Sequence, residues 1–201
     1  MRLLSHFATL CLVVCLSAFT SAAEIHVPGD QPTIQAAIEA AALGDTIVVS
    51  PGRYNEKIDF LGKAITLRSA NPLDPDVVAA TILDGSDLQW WCVSFTNGEK
   101  EDSVIEGFTV TGTAQGGGIF CKKASPMIVG NTFRGNDASP GIACLESAAF
   151  IAGNLFALNE GMVTGGAIDC HFSTVLITGN KIIRLLRLQS YTRRSQFSCS
   201  S

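Results

Sequence analysis

Positive charge is in deficit, metal-ligand spacings are missing, and no hydrophobic run reaches membrane length. The 201 residues hold 14 Lys and Arg against 18 Asp and Glu, a net charge of −4. A nucleic-acid partner calls for a basic stripe, so that class is excluded. With three histidines and no Cys-x-x-Cys, no zinc site is expected, and no metal is assigned. The Leu-x-x-Leu-x-Leu-x-x-Asn signature of leucine-rich repeats is also missing. What is present is 47% hydrophobic residues with 19 glycines, too apolar for disorder and suited to a turn-rich β protein with a sizeable core.

Residues 1–23, "MRLLSHFATLCLVVCLSAFTSAA", place Arg2 ahead of an apolar run from Phe7 to Phe19. Ser21-Ala22-Ala23 then fits a cleavage site before Glu24. The run is too short for a membrane span, and neither Leu10-Cys11 nor Val14-Cys15 fits a lipoprotein site. An export signal is expected, leaving a mature chain that is secreted, periplasmic or at the cell surface, with no membrane span. Five cysteines remain: Cys92, Cys121, Cys144, Cys170 and Cys199. Export permits disulfides, but an odd number at wide spacings does not suggest a disulfide framework.

Ile34, Ala37, Ile38 and Ala41 recur at helical spacing, which predicts a helix over 33–42 with Pro32 suiting the first turn and Gly44 the C-cap. Short strands are expected to follow in "DTIVVS", "AITLRS", "ATILDG" and "WWCVSF", with "ANPLDPD" as a loop between them. Further along, "SVIEGFTVTG" (103–112) overlays "PMIVGNTFRG" (126–135) at an offset of 23. The hexamers "GGGIFC", "SPGIAC" and "GGAIDC" end at Cys121, Cys144 and Cys170, 23 and then 26 residues apart. Asn131, Asn154 and Asn180 repeat those offsets, each ten residues after its cysteine. Short strands at this period, without intervening helices, indicate a β-solenoid of about six coils. The hexamer glycines read as turn residues. Strand alternation turns Ile119 with Cys121, Ile142 with Cys144 and Ile168 with Cys170 inward, as stacked columns. The cysteines read as a ladder of thiols packed as small hydrophobes, since parallel side chains are poorly oriented for a bridge. The asparagines read as a turn ladder.

The stretch "TIQAAIEAAALGDTIVVSPGRYNEKIDF" resembles the N-terminal cap and first coil of pectin-lyase-like proteins. The pattern "ILDGS…VIEGFTVTG…GGGIFCKKASPMIVGNTFRGN" is similar to bacterial exported β-helix repeat proteins. The resemblance implies a right-handed parallel β-helix over 24–183 with a short N-terminal capping helix. It brings no catalytic residues. Pectate lyases cluster acidic residues for calcium, pectin methylesterases carry G-x-V-D-F-I-F-G, and polygalacturonases need Asn-Thr-Asp with paired aspartates. Only "GGAIDCHF" comes near any of these, through Asp169. The tail from 184 to 201 is basic, lacks glycine and leaves the repeat register. It reads either as an unusual cap or as a chain broken off mid-repeat by truncation or frameshift, and the second is the expectation.

Outward positions on the cysteine-bearing strands are Phe120 and Lys122, Ala143 and Leu145, then Asp169 and His171. Asp169 and His171, about 6–7 Å apart and both solvent-facing, are the candidate acid and base, with Lys122 a charge partner two coils away. An ordinary solvated strand explains the same residues. Trp90 and Trp91 should alternate faces, so that one can stack on a sugar ring, or both can pack as core. Asp74, Asp76, Asp84 and Asp87 are suited to calcium, although turn formation accounts for them equally. The expected protein is a monomeric, non-catalytic exported module whose partner class is polysaccharide. The alternative is a polysaccharide lyase or pectin-esterase-like enzyme acting on acidic glycans.

Overall fold

Runs of two to four β-branched, aromatic or aliphatic residues, broken by glycine, asparagine or serine, can form only short strands. A computed structural model describes residues 21–112, 116–136, 139–159, 166–183 and 197–200, and in it these strands stack as a parallel β-solenoid of about six turns. Sheet I contains β1 (Glu24–Val27), β2 (Thr46–Val49), β5 (Thr66–Ser69), β8 (Val104–Glu106), β11 (Met127–Val129), β14 (Phe150–Ala152) and β17 (Leu176–Thr178). Sheet II contains β3 (Gly52–Tyr54), β6 (Thr81–Asp84), β9 (Thr109–Thr111), β12 (Thr132–Arg134), β15 (Leu155–Ala157) and β18 (Lys181–Ile183). Sheet III contains β4 (Ile58–Asp59), β7 (Val93–Phe95), β10 (Ile119–Lys122), β13 (Ile142–Leu145), β16 (Ile168–His171) and β19 (Phe197–Ser200). From β2 onward the chain visits sheets I, II and III in strict rotation, so each strand lies parallel to its counterpart one turn earlier.

The register places like over like. Ile119, Ile142 and Ile168 form one column of sheet III, and Cys121, Cys144 and Cys170 another, which the backbone of Cys199 continues. Sheet I contributes Ile47, Leu67, Ile105, Ile128 and Ile151, and sheet II contributes Leu83, Val110, Phe133 and Phe156. All of these described side chains are buried. Each large one is worth about 1.5–3 kcal/mol relative to exposure. Phe133 and Phe156 stack with ring centroids 4.9 Å apart, which fixes their spacing in the core.

The corners are hydrogen-bonded columns. Between sheets I and II, Asn154 accepts from the Asn131 N–H (2.9 Å) and donates to the carbonyls of Ile128 and Ala152, while the Asn154 N–H reaches Asn180 Oδ1 (2.8 Å). A second asparagine column, Asn136 over Asn159, closes the corner after sheet II. Ser147 and Ser173 close the corner after sheet III, each accepting a backbone N–H from the preceding turn. Turn corners bend the backbone away from its own strand, and these side chains satisfy the N–H groups that would otherwise be buried without partners.

Several local expectations change. A strand, β1, precedes the first helix. That helix, α1, spans Ile34–Ala40 and is capped by Thr33 rather than opened by Pro32, and its C-cap is Ala41 rather than Gly44. Lys63 Nζ donates to the carbonyls of Ile38, Glu39 and Ala41, doing the work expected of a glycine. The "DPD" segment expected as loop opens α2 (Pro75–Ala80), with Asp74 at the N-cap and Pro75 in the first turn. Six residues are too few for helical periodicity to show, and Pro and Asp are as common in turns as at helix starts. The hexamer glycines Gly116, Gly118, Gly141 and Gly166 lie at bends, as expected, and the first run also permits close approach. A Cβ on Gly117 would overlap the Trp91 indole and the Pro140 carbonyl, and one on Gly118 the Gly141 carbonyl. Residues 1–20 of the expected export signal, and 184–196 and 201 of the tail, lie outside the described residues. Among the described residues, no helix is long and apolar enough to cross a membrane.

Candidate functional site

The outer face of sheet III carries most of the sequence candidates, because alternation that sends Ile and Cys inward must send their neighbours outward. The register sets Phe120 beside Ala143 and Ala143 beside Asp169, and in a second row Lys122 beside Leu145 and Leu145 beside His171. Asp169 and His171 share a strand, and His171 Nε2 lies 3.2 Å from Asp169 Oδ2. The pair was expected to be fully solvated, and here the structure differs. His171 is half-exposed, but Asp169 is only 6% exposed. A residue in the middle of a stack is flanked by strands on both sides, and the imidazole reaches across it. Lys122 is exposed and stands two strands from His171, about 9–10 Å away along the sheet, with Leu145 between them. Lys122 and the pair therefore share a face without touching.

Trp90 and Trp91 do not belong to a strand, since β7 begins only at Val93. Alternation therefore does not set their directions; the glycine run does. Gly116 and Gly117 leave room for the tryptophan backbone and for the Trp91 ring. The Trp91 indole stacks on Phe120, with centroids 5.2 Å apart and planes 18° apart. Trp90, the preceding residue, is 69% exposed. The result is an aromatic shelf on the outer face of sheet III, with the small Ala143 as floor between it and the Asp169–His171 pair.

The acidic loop residues do not converge. Asp74 accepts the Asp76 N–H at the start of α2, and Asp76 lies in its first turn. Asp84 is buried at the end of β6, where Arg53 Nε lies 2.6 Å from Oδ2 and the Ser86 N–H reaches Oδ1. Burial pushes the Asp84 carboxyl up, but the Ser86 N–H and the Arg53 guanidinium outweigh it and hold the group below its usual range. Asp87 accepts from Asn55 at 3.4 Å. Among the described residues, no group of three or more His, Cys, Asp or Glu is placed to hold one metal ion.

Three features escaped sequence reasoning. The Arg53–Asp84 pair links residues 31 apart, outside the repeat offset, and had no signal. Asn136 and Asn159 stand 23 apart and Ser147 and Ser173 stand 26 apart, the same offsets as the asparagine column already noticed. Glu99, 1% exposed, accepts the N–H groups of Gly62 (2.9 Å) and Asn97 (3.0 Å), a role no spacing announces. No protein family, curated protein or solved structure matches this chain.

Proposed function

We propose that this chain is an exported, right-handed, pectin-lyase-like β-helix module, capped by α1, that binds polysaccharide through the outer face of sheet III without transforming it. The observation that carries the reading is the shelf formed by Trp91 stacked on Phe120, with the preceding Trp90 exposed. Sugar rings present flat C–H faces that pack on indoles, and a shelf braced by a glycine run is pre-organised for that contact. Lys122 is close enough on the same face to reach a sugar hydroxyl or carboxylate. Under this reading residues 1–23 are the export signal, the basic tail that begins at 184 rejoins the stack at β19 (Phe197–Ser200), and the protein acts as a secreted, periplasmic or surface monomer.

Glycan-array binding by the wild-type chain, reduced at least about tenfold in Trp90→Ala and Trp91→Ala, is the expected result. An array on which the folded wild type binds no glycan would sink the proposal. The 3.2 Å contact between His171 and Asp169 favours a second reading, a lyase or esterase of acidic glycans in which a carboxylate-oriented imidazole serves as base. Incubation with polyuronates and calcium separates the two, because unsaturated products or released methanol cannot come from a binding module. Either product, lost in His171→Ala, would replace the first reading with the second.

A further inference from the structure

Cysteine occupies one inward position of sheet III in successive turns. The register pairs Cys121 with Cys144, Cys144 with Cys170, and the Cys170 backbone with that of Cys199. Cys121, Cys144 and Cys170 are at most 1% exposed, beside the column of Ile119, Ile142 and Ile168. In-register parallel strands are about 4.8 Å apart, so identical side chains repeat along a straight line at that spacing. A zinc–thiolate bond is about 2.3 Å, and on that scale a linear sulfur–metal–sulfur unit is about 4.6 Å long. The two lengths agree to within what a small side-chain rotation supplies.

A straight column cannot surround a tetrahedral ion, which needs donors converging from several directions, in keeping with the want of a convergent cluster among the described residues. It suits an ion that takes two ligands in line. Soft monovalent ions with a filled d shell do so, and thiolate is the ligand type that selects them. We propose that the Cys121–Cys144–Cys170 column binds such ions, Cu(I) or its redox-inert counterpart Ag(I), each held between the sulfurs of two neighbouring turns.

Two thiols and one monovalent cation form two metal–thiolate bonds, and two protons leave to solvent. The unit carries one negative charge, and its burial in an apolar core is a cost that the two metal–sulfur bonds must exceed. Cys92 lies outside the column. It precedes β7, opposite Gly118 in the register, and burial pushes its thiol up to about 12, with Asp84 and Glu56 adding to the effect. Loading requires local opening of turns, and a bound ion then clamps adjacent turns together.

The test uses the full chain with Cys11→Ser and Cys15→Ser, kept reduced without oxygen or chloride, and Ag(I) alone as probe. Equilibrium dialysis should show at least one ion retained per chain, with two protons released by the first ion bound and a raised Tm. Two double variants then keep the same number of mature cysteines but differ in adjacency. Cys92→Ala with Cys121→Ala leaves Cys144, Cys170 and Cys199 in register on consecutive turns, whereas Cys144→Ala with Cys199→Ala leaves no two in register on neighbouring turns, Cys92 standing opposite Gly118 and not Cys121. The first should hold Ag(I) at least about tenfold more tightly than the second. Equal affinity in the two variants, both giving the wild-type circular dichroism spectrum, would overturn the proposal. So would a folded parent chain that retains no Ag(I), a result that depends on no cysteine variant folding.

Discussion

From β10 onward the solenoid closes its corners with columns of one residue type, Asn131–Asn154–Asn180, Asn136–Asn159 and Ser147–Ser173. The earlier turns close theirs with single charged side chains brought from elsewhere in the chain. Asp45 accepts the Ala23 and Ala42 N–H groups, Glu56 those of Ile34 and Gln35, and Glu99 those of Gly62 and Asn97. Both halves solve one problem, the backbone N–H groups stranded where the chain bends. The difference shows that a corner or a helix start needs a side-chain acceptor, whether or not it repeats. Repetition adds cooperation, because an asparagine both accepts from the turn before and donates to carbonyls and to the next asparagine.

That difference gives the largest expected effect. Asn154→Ala removes the acceptor for the Asn131 N–H and the donor for the Ile128 carbonyl, both buried, and interrupts the column at its centre. At about 1–3 kcal/mol for each polar group left buried and unsatisfied, the loss should be about 4 kcal/mol. Glu99→Ala strands two N–H groups without breaking a column and should cost about 2–3 kcal/mol. Urea denaturation of both variants checks the order. Equal losses would show that the column carries no cooperation beyond its individual bonds.

The same contrast explains what could be read in advance. The asparagine column was legible because its hydrogen-bond partners are separated by the repeat offset itself, 23 and then 26 residues. The inward cysteine positions were legible because a period-two strand leaves no other choice once Ile119 is placed in the core. Thr33, Lys63 and Glu99 serve turns and helix ends singly, so no spacing marks them. The candidate site was half legible. Alternation placed Phe120, Lys122, Asp169 and His171 on one face, but it could not reveal that Trp91 folds back onto Phe120, since that contact depends on a loop and a glycine run. Nor could it reveal the burial of Asp169, which depends on what covers the face.

A second expected effect is on acid stability, and it belongs to the earlier turns. The Ala23 and Ala42 N–H groups hold the Asp45 carboxyl below its usual range despite desolvation, and Asp84 is lowered by the balance already described. A folded-state pKa below the unfolded one stabilises the fold above the unfolded value of about 3.9, and that stability is lost as pH falls through the lower folded value. Amide columns do not titrate. The wild-type urea midpoint should therefore hold steady from neutral pH to about 4 and fall below it. Asp45→Asn with Asp84→Asn should start lower and decline less. Parallel pH profiles for the two proteins would place the acid sensitivity elsewhere.

The smallest effect concerns the point where the two systems meet. Ser69 ends β5 opposite Gly107, next to the corner that Asn131 closes one turn later through the Phe108 N–H. The Ser69 hydroxyl is fully buried, and among the described residues it has no hydrogen-bond partner. Its position is fixed by backbone pairing, so it cannot turn outward without breaking sheet I. Burying a hydroxyl without compensation costs about 1–3 kcal/mol, while the methyl group of alanine fills most of the same space. Ser69→Ala should therefore raise stability by about 1 kcal/mol, the opposite sign to Asn154→Ala. A rise in the urea midpoint with an unchanged slope is the expected signature. A fall would mean that this corner, like the later ones, depends on a polar side chain, and the boundary between the two closing systems would move one turn toward the N-terminus.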